Sequence, residues 1–202
     1  MFVRRPADLF STSKRKLSYG VGLNDADYKT SFLDKNGKHQ KCPIYKKWLS
    51  VLTRCYSESL KKRQPTYRDC TVCEEWLTFS KFKSWVESQD WQGKHLDKDI
   101  LIQGNKHYSP ETCLFVSSEV NNLILDRKAA RGECKQGVSL NKVLGKYKAR
   151  CKVNGKDKHL GYYDTEQEAF EVYREFKYSV IKKVANTQQD LIRKALLNYV
   201  IV

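Results

Sequence analysis

The chain has no apolar run approaching the roughly 18 residues that a membrane-spanning helix needs. Its opening residues, with Arg4, Arg5, Pro6 and Asp8, lack the apolar stretch of a secretory signal. The expectation is therefore a cytoplasmic protein, in the host cytoplasm if the chain is viral. Low-complexity tracts and internal repeats are also missing, which excludes a solenoid or a simple linker. Acidic residues are scarce: 23 Asp and Glu stand against 38 Lys and Arg, a net charge of +15. Without a secretion signal, the 7 cysteines read as reduced thiols or metal ligands rather than disulfides.

Of what is present, 40% is hydrophobic, including 4 Trp, 12 Tyr and 8 Phe. That supplies real cores and excludes global disorder. A length of 202 residues fits one large domain or two small ones. The positive charge is concentrated. Between Arg127 and Leu160 there are 11 Lys and Arg against only Glu133 and Asp157, so this window carries +9 of the +15. A polyanion is the natural partner, with nucleic acid the commonest. An anionic membrane surface would call for a basic amphipathic helix, whereas this charge lies in strand-like sequence.

Helix and strand signals interleave, giving an α+β expectation. The stretch to about Gln40 is polar and weakly periodic and reads as irregular. Pro43 opens a helix in which Ile44, Trp48, Val51, Leu52 and Cys55 recur at helical spacing. Lys61 to Tyr67 reads as a loop. Trp76, Phe79, Phe82 and Trp85 mark an aromatic helix stripe bound for a core. His95 to Ile102 reads as a strand, Gln103 to Glu111 as a loop, Cys113 to Val116 as a second strand. Ser117 or Ser118 then caps a helix burying Val120, Leu123 and Ile124. Asp126 to Lys135 is a basic linker and the expected boundary between domains at 1–130 and 131–202.

From Lys146 to Val153 the residues alternate without a break. Lys146, Lys148, Arg150 and Lys152 point one way; Tyr147, Ala149, Cys151 and Val153 point the other. Four cations on one strand face repel, and a polyanion relieves that. Asn154-Gly155 is the preferred type I′ hairpin turn. Simple alternation along the returning strand puts Asp157 and His159 on the basic face, and Leu160 and Tyr162 on the apolar one. Thr165 with Glu168 forms a capping box. The helix it starts, with Ala169, Val172, Tyr173, Phe176 and Val180, is expected to cover the apolar sheet face. After a break at Asn186-Thr187, Leu191, Ile192, Ala195, Leu196 and Tyr199 describe a final amphipathic helix docking on the body.

Gln136-Gly137-Val138, residues 145–149 (Gly-Lys-Tyr-Lys-Ala), the Asn154-Gly155 turn, residues 159–164 (His-Leu-Gly-Tyr-Tyr-Asp) and the capping-box helix to Tyr173 together resemble the AP-two domain. This is the DNA-binding domain of ethylene-response factors, found in plants and in phage homing-endonuclease-like proteins. The resemblance implies a three-stranded sheet read into the major groove. DNA contacts would fall at Gln136, Ser139, Asn141, Arg150, Lys152 and His159, beside Lys146 and Lys148. The plant domain's arginines are here largely Gln, Ser and Asn, and the Trp before Leu-Gly is His159, so base preference does not carry over.

Upstream, residues 96–99 (Leu-Asp-Lys-Asp), Gly104-Asn105, residues 108–113 (Tyr-Ser-Pro-Glu-Thr-Cys) and Val120-Asn121-Asn122 resemble the His-Asn-His (HNH) nuclease motif of phage proteins. Residues 42–48, 54–56 and 72–76 are similar to the same proteins. The resemblance implies two strands and a helix around one divalent cation, Mg²⁺ or a similar ion. Asp97 and Asn121 match the metal ligands, with Asp99 expected beside Asp97 on one strand face. The metal would neutralise charge developing on a phosphate, while a base deprotonates water. The base position is Lys98, and a lysine at its ordinary pKa of about 10.4 is protonated and accepts no proton. It would bind phosphate instead, leaving His95 or His107 as the base. Thr112 stands where the motif usually has Asn.

Cys70 and Cys73 have the spacing of half a zinc knuckle, which Cys42, Cys55 or Cys113 would complete; buried free thiols are the plainer reading. Functionally, the expectation is a sequence-preferring double-stranded DNA-binding protein of the phage homing-endonuclease type that nicks or cuts DNA. The alternatives are a catalytically degenerate DNA-binding or regulatory protein, and an inhibitor occupying the site of a host nucleic-acid enzyme.

Overall fold

A computed structural model describes residues 2–125 and 132–201. Most of the expected linker, residues 126–131, lies outside the described residues. The chain is α+β and divides into two compact units, Met1–Phe115 and Val116–Val202.

The first unit runs α1 (Leu9–Ser13), β1 (Ser31–Leu33), β2 (His39–Lys41), α2 (Pro43–Tyr56), α3 (Glu58–Arg63), β3 (Thr71–Val72), α4 (Phe79–Glu87), β4 (His95–Asp97), β5 (His107–Tyr108) and β6 (Leu114–Val116), at whose last residue the second unit begins. Pro43 sits in the first turn of α2, where its missing N–H costs nothing. Ile44, Trp48, Val51, Leu52 and Cys55 are all buried, as their spacing requires. They meet Trp76, Phe79, Phe82 and Val86 in one core. The Trp48 indole N–H finds the Trp76 carbonyl at 2.6 Å, so the buried ring keeps its polar atom satisfied. Trp76 and Phe82 meet edge to face at 5.0 Å, and Trp85 packs on Phe115 at 5.5 Å.

Several local expectations change. The N-terminal stretch is not irregular throughout, since β1 and β2 form an antiparallel hairpin. The Arg15 guanidinium also pins this stretch by donating to the carbonyls of Asn24, Ala26 and Tyr28 at 2.9, 2.6 and 3.0 Å. Residues 61–67 are not a loop. They lie in α3, whose N-cap Ser57 accepts from the Leu60 N–H, and in a 3₁₀ turn at Pro65–Tyr67. The expected loop from Gln103 to Glu111 contains β5, which pairs in parallel with β3.

The second unit continues with α5 (Ser118–Ile124), β7 (Val138–Asn141), β8 (Lys146–Val153), β9 (Lys156–Tyr163), α6 (Glu166–Ala185) and α7 (Asp190–Leu197). The hydroxyl of Ser117, not Ser118, caps α5, and Val120, Leu123 and Ile124 are buried. The three strands form an antiparallel sheet in the order β7-β8-β9. At the β8–β9 turn, Asn154 and Gly155 have φ of 50° and 78°, the double left-handed conformation of a type I′ turn. Thr165 and Glu168 make both hydrogen bonds of the capping box. The buried row of α6 is Ala169, Phe170, Tyr173, Lys177, Ile181 and Ala185; Val172, Phe176 and Val180 are only half-buried. Each fully buried large apolar side chain contributes roughly 1.5–3 kcal/mol, so this row holds the helix on the sheet. In α7, Leu196 is buried but Leu191 is 55% exposed, so that helix docks through a narrower face than expected.

Candidate nucleic-acid interface

The sheet of the second unit separates its residues by face. Val138 stands opposite Ala149, and Ala149 opposite Gly161; these face α6 with Cys151. On the other face, Ser139 pairs with Lys148, Asn141 with Lys146, Arg150 with His159 and Lys152 with Asp157. The expected cations and the residues Ser139, Asn141 and His159 thus share one surface. Gln136 lies just before β7, and Gly137 between them accepts the Arg150 N–H at 2.9 Å.

One expectation is corrected. Tyr162 is on the basic face, not the apolar one. The register slips between Ala149 and Arg150, so Leu160 is the extra residue of a β-bulge and Tyr162 stands opposite Lys148. Its ring is 40% exposed and lies 4.8 Å from the His159 ring. An aromatic pair therefore sits between cations. Lys158, on the covered side, lays its ammonium 4.6 Å from the Phe176 ring.

Charge on this face is only partly balanced. Lys146 pairs with Asp164 at 3.0 Å, and Arg150 loosely with Asp157 at 3.7 Å. All four side chains are about half exposed or more, so solvent screens these pairs. Among the described residues, Lys148 and Lys152 have no ion pair.

Gly137 lets the sheet close on its helix. Its φ is +78°, and a Cβ there would lie 2.1 Å from the Tyr173 ring. The glycine and the buried tyrosine are a matched pair.

The HNH-like residues are arranged differently from the expectation. β4 ends at Asp97, so Asp97 and Asp99 do not share a strand face. The cause is local: Asp97 Oδ1 accepts the N–H groups of both Asp99 and Ile100 at 2.8 Å, turning the backbone out of the strand. Burial pushes the Asp97 carboxyl above the usual range, against those two hydrogen bonds. The Lys98 charge opposes that rise, and Arg54, half-buried and donating to the Tyr108 hydroxyl at 3.3 Å, is itself favoured in its charged form by Asp97.

Lys98, at the base position, is only 6% exposed. Its ammonium donates to both oxygens of Asp99 at 2.8 Å and to the Asn105 carbonyl. Asn105 answers by donating Nδ2 to the Lys98 carbonyl at 2.9 Å and to the His107 carbonyl at 2.6 Å. Thr112 closes the next loop by donating to the His107 carbonyl at 2.7 Å. His107 Nδ1 lies 2.8 Å from the Thr71 hydroxyl, and His95 is exposed on β4. Asn121 is half-buried on α5, in the second unit, whereas Asp97 belongs to the first.

Cys70 is buried and Cys73 half-buried at the two ends of β3. Burial pushes the thiols of Cys55 and Cys113 up to about 12, so both are protonated at neutral pH. Among the described residues, no three His, Cys, Asp or Glu side chains come together as a metal-binding group.

Sequence reasoning missed two residues that matter here. Asn105 reads in sequence only as part of a motif, yet its side chain ties the backbone of Lys98 to that of His107 through three hydrogen bonds. Lys177 stands outside the apolar stripe that the sequence suggests, although it falls in the four-residue row Tyr173, Lys177, Ile181, Ala185. That row was the signal: a charge at a core spacing. Comparison of the chain with protein-family models, curated proteins and solved structures finds no match.

Proposed function

We propose that this protein binds double-stranded DNA by laying the exposed face of its three-stranded sheet in the major groove. The observation carrying the reading is the convergence of Lys146, Lys148, Arg150 and Lys152 with Ser139, Asn141, His159 and Tyr162 on one face. Three strands at their usual spacing are about 10 Å across, which suits a groove about 12 Å wide. Lysines on that face meet phosphates, while Ser139, Asn141, Arg150 and His159 supply the donors and acceptors that read base edges. The Tyr162 and His159 rings add apolar contact, for instance to thymine methyl groups. The test is interference mapping on a selected duplex. Methylating guanine N7, in the major groove, must block binding, and a minor-groove ligand must not. The reverse pattern would overturn the docking.

A second reading, metal-dependent cutting of that DNA, rests on Asp97, a half-buried carboxylate at the motif's metal position, where a divalent cation would stabilise the ionised form that burial disfavours. Asp97 is the residue of the first unit that would hold Mg²⁺. Lys98 would not act as the base, because its protonated form is held by Asp99 and Asn105. A plasmid-nicking assay with Mg²⁺ or Mn²⁺ decides. Cleavage lost in Asp97→Ala, with duplex binding retained, supports cutting. No nicking by the unaltered protein with either metal leaves a DNA-binding protein without this activity.

A further inference from the structure

We propose that a cleft within the second unit, between α5, the turn end of β8 and α6, binds a phosphomonoester carried on an apolar body, such as a mononucleotide, with Lys177 as the phosphate-binding cation. The cleft holds about 800 Å³, within the roughly 300–1,000 Å³ typical of small-molecule sites. Its wall is apolar at Leu123, Val153, Tyr173, Val180 and Val184, and Asn122, Gln136 and Asn154 line it as well. The charged residues on it are Glu119, Arg150, Lys152, Asp157 and Lys177. Arg150 and Asp157 face each other at 3.7 Å, which leaves two cations against Glu119.

Lys177 decides the ligand class. It is 7% exposed and sits in the apolar row of α6, yet no hydrogen bond or ion pair to it is found among the described residues. Its ammonium is not sealed off, since among the described residues no fully buried side-chain nitrogen or oxygen lacks a partner, so it stays open to an anion in the cleft that Lys177 lines. Burial already pulls its ammonium below the usual lysine pKa, in keeping with an absent counter-ion. A phosphate dianion supplies the charge, and the apolar wall takes a base or sugar face. The cleft shares Gln136, Arg150, Lys152 and Asp157 with the proposed duplex interface, so Lys177, on the covered side, is the residue that separates the two readings.

The experiment is calorimetric titration of the full chain with thymidine 5′-monophosphate and with thymidine. The nucleotide is expected to bind with Kd below about 1 mM and the nucleoside at least about tenfold more weakly. Lys177→Met keeps the stem and removes the charge. It is expected to fold with undiminished stability, because an apolar replacement for a buried charge is often stabilising, and to lose at least tenfold in nucleotide affinity. Thermal stability of the unaltered protein gives a second reading that needs no variant: the nucleotide raises Tm and thymidine does not. Competition with short oligothymidylates separates the two sources of the phosphate. Displacement by a 5′-phosphorylated strand but not its unphosphorylated twin points to a strand end, and displacement by neither points to a free nucleotide. Absence of nucleotide binding, equal binding of nucleotide and nucleoside, or equal binding by Lys177→Met would overturn the assignment while leaving the duplex interface untouched.

Discussion

Lys148 stands directly opposite Tyr162 on the exposed face of the sheet. That pairing exists because of the bulge at Leu160, and it places an aromatic ring where the cations gather. Truncating the ring is expected to weaken duplex binding without weakening the fold, since Tyr162 is already 40% exposed. Tyr162→Ala should cost about 1–2 kcal/mol of binding, in the range of alanine substitutions at contact residues. Fluorescence anisotropy on a duplex, beside an unchanged urea midpoint, is the measurement. Unchanged affinity would place the ring outside the contact.

The Gly137–Tyr173 pair yields a stability prediction. Gly137→Ala adds a methyl into the Tyr173 ring at a left-handed φ, so both overpacking and backbone strain act. The loss should reach about 2–4 kcal/mol. Gly145→Ala is the control: its φ is +64° but nothing lies near the added carbon, so about 1 kcal/mol is expected. Urea denaturation of both variants checks the difference. Equal losses would mean that strain alone operates at Gly137.

Lys177 makes stability depend on pH at the alkaline end. Its folded pKa is lowered by burial, with the Cys151 thiol opposing weakly. Protonation therefore costs stability in the folded state, and the cost is fully present below the folded pKa. Stability should rise with pH from the lowered value to the ordinary one near about 10.4. In Lys177→Met this rise should vanish. Thermal melts across alkaline pH test it, and a rise that persists in the variant would assign it to another group.

Lys98 is expected to be a structural cation. Lys98→Met strands the Asn105 carbonyl and frees Asp99, which should cost about 2 kcal/mol, the scale of a charge-assisted hydrogen bond. Chemical denaturation measures it. A neutral effect would reopen a role for Lys98 beyond the fold.

Much of the second unit could be read from periodicity. The alternation from Lys146 to Val153, the Asn154-Gly155 turn and the Thr165–Glu168 capping box are local signals, and each acts within a few residues. Simple alternation puts Tyr162 on the wrong face because it counts residues, and nothing local marks Leu160 as the one that leaves the ladder. The strand at His95 ends sooner than its sequence suggests because a backbone-bonding Asp97 looks, in sequence, like any strand aspartate. The β3–β5 pairing was invisible, since strands of two residues carry no period. Lys177 was legible only once the true buried row of α6 replaced the looser stripe through Val172, Phe176 and Val180.

The central claim is that the sheet face meets the phosphates of duplex DNA, and a salt titration tests it most directly. Each phosphate-contacting cation contributes about 0.9 to the slope of log affinity against log salt on B-DNA. Lys148 and Lys152 lie on that face without an ion pair among the described residues, so removing both exposes the effect of contact alone. The Lys148→Ala, Lys152→Ala double variant should bind duplex DNA more weakly at low salt, with a slope shallower by about 2 units. A slope equal to that of the unaltered protein would contradict the account and move the DNA contact, if there is one, to another surface.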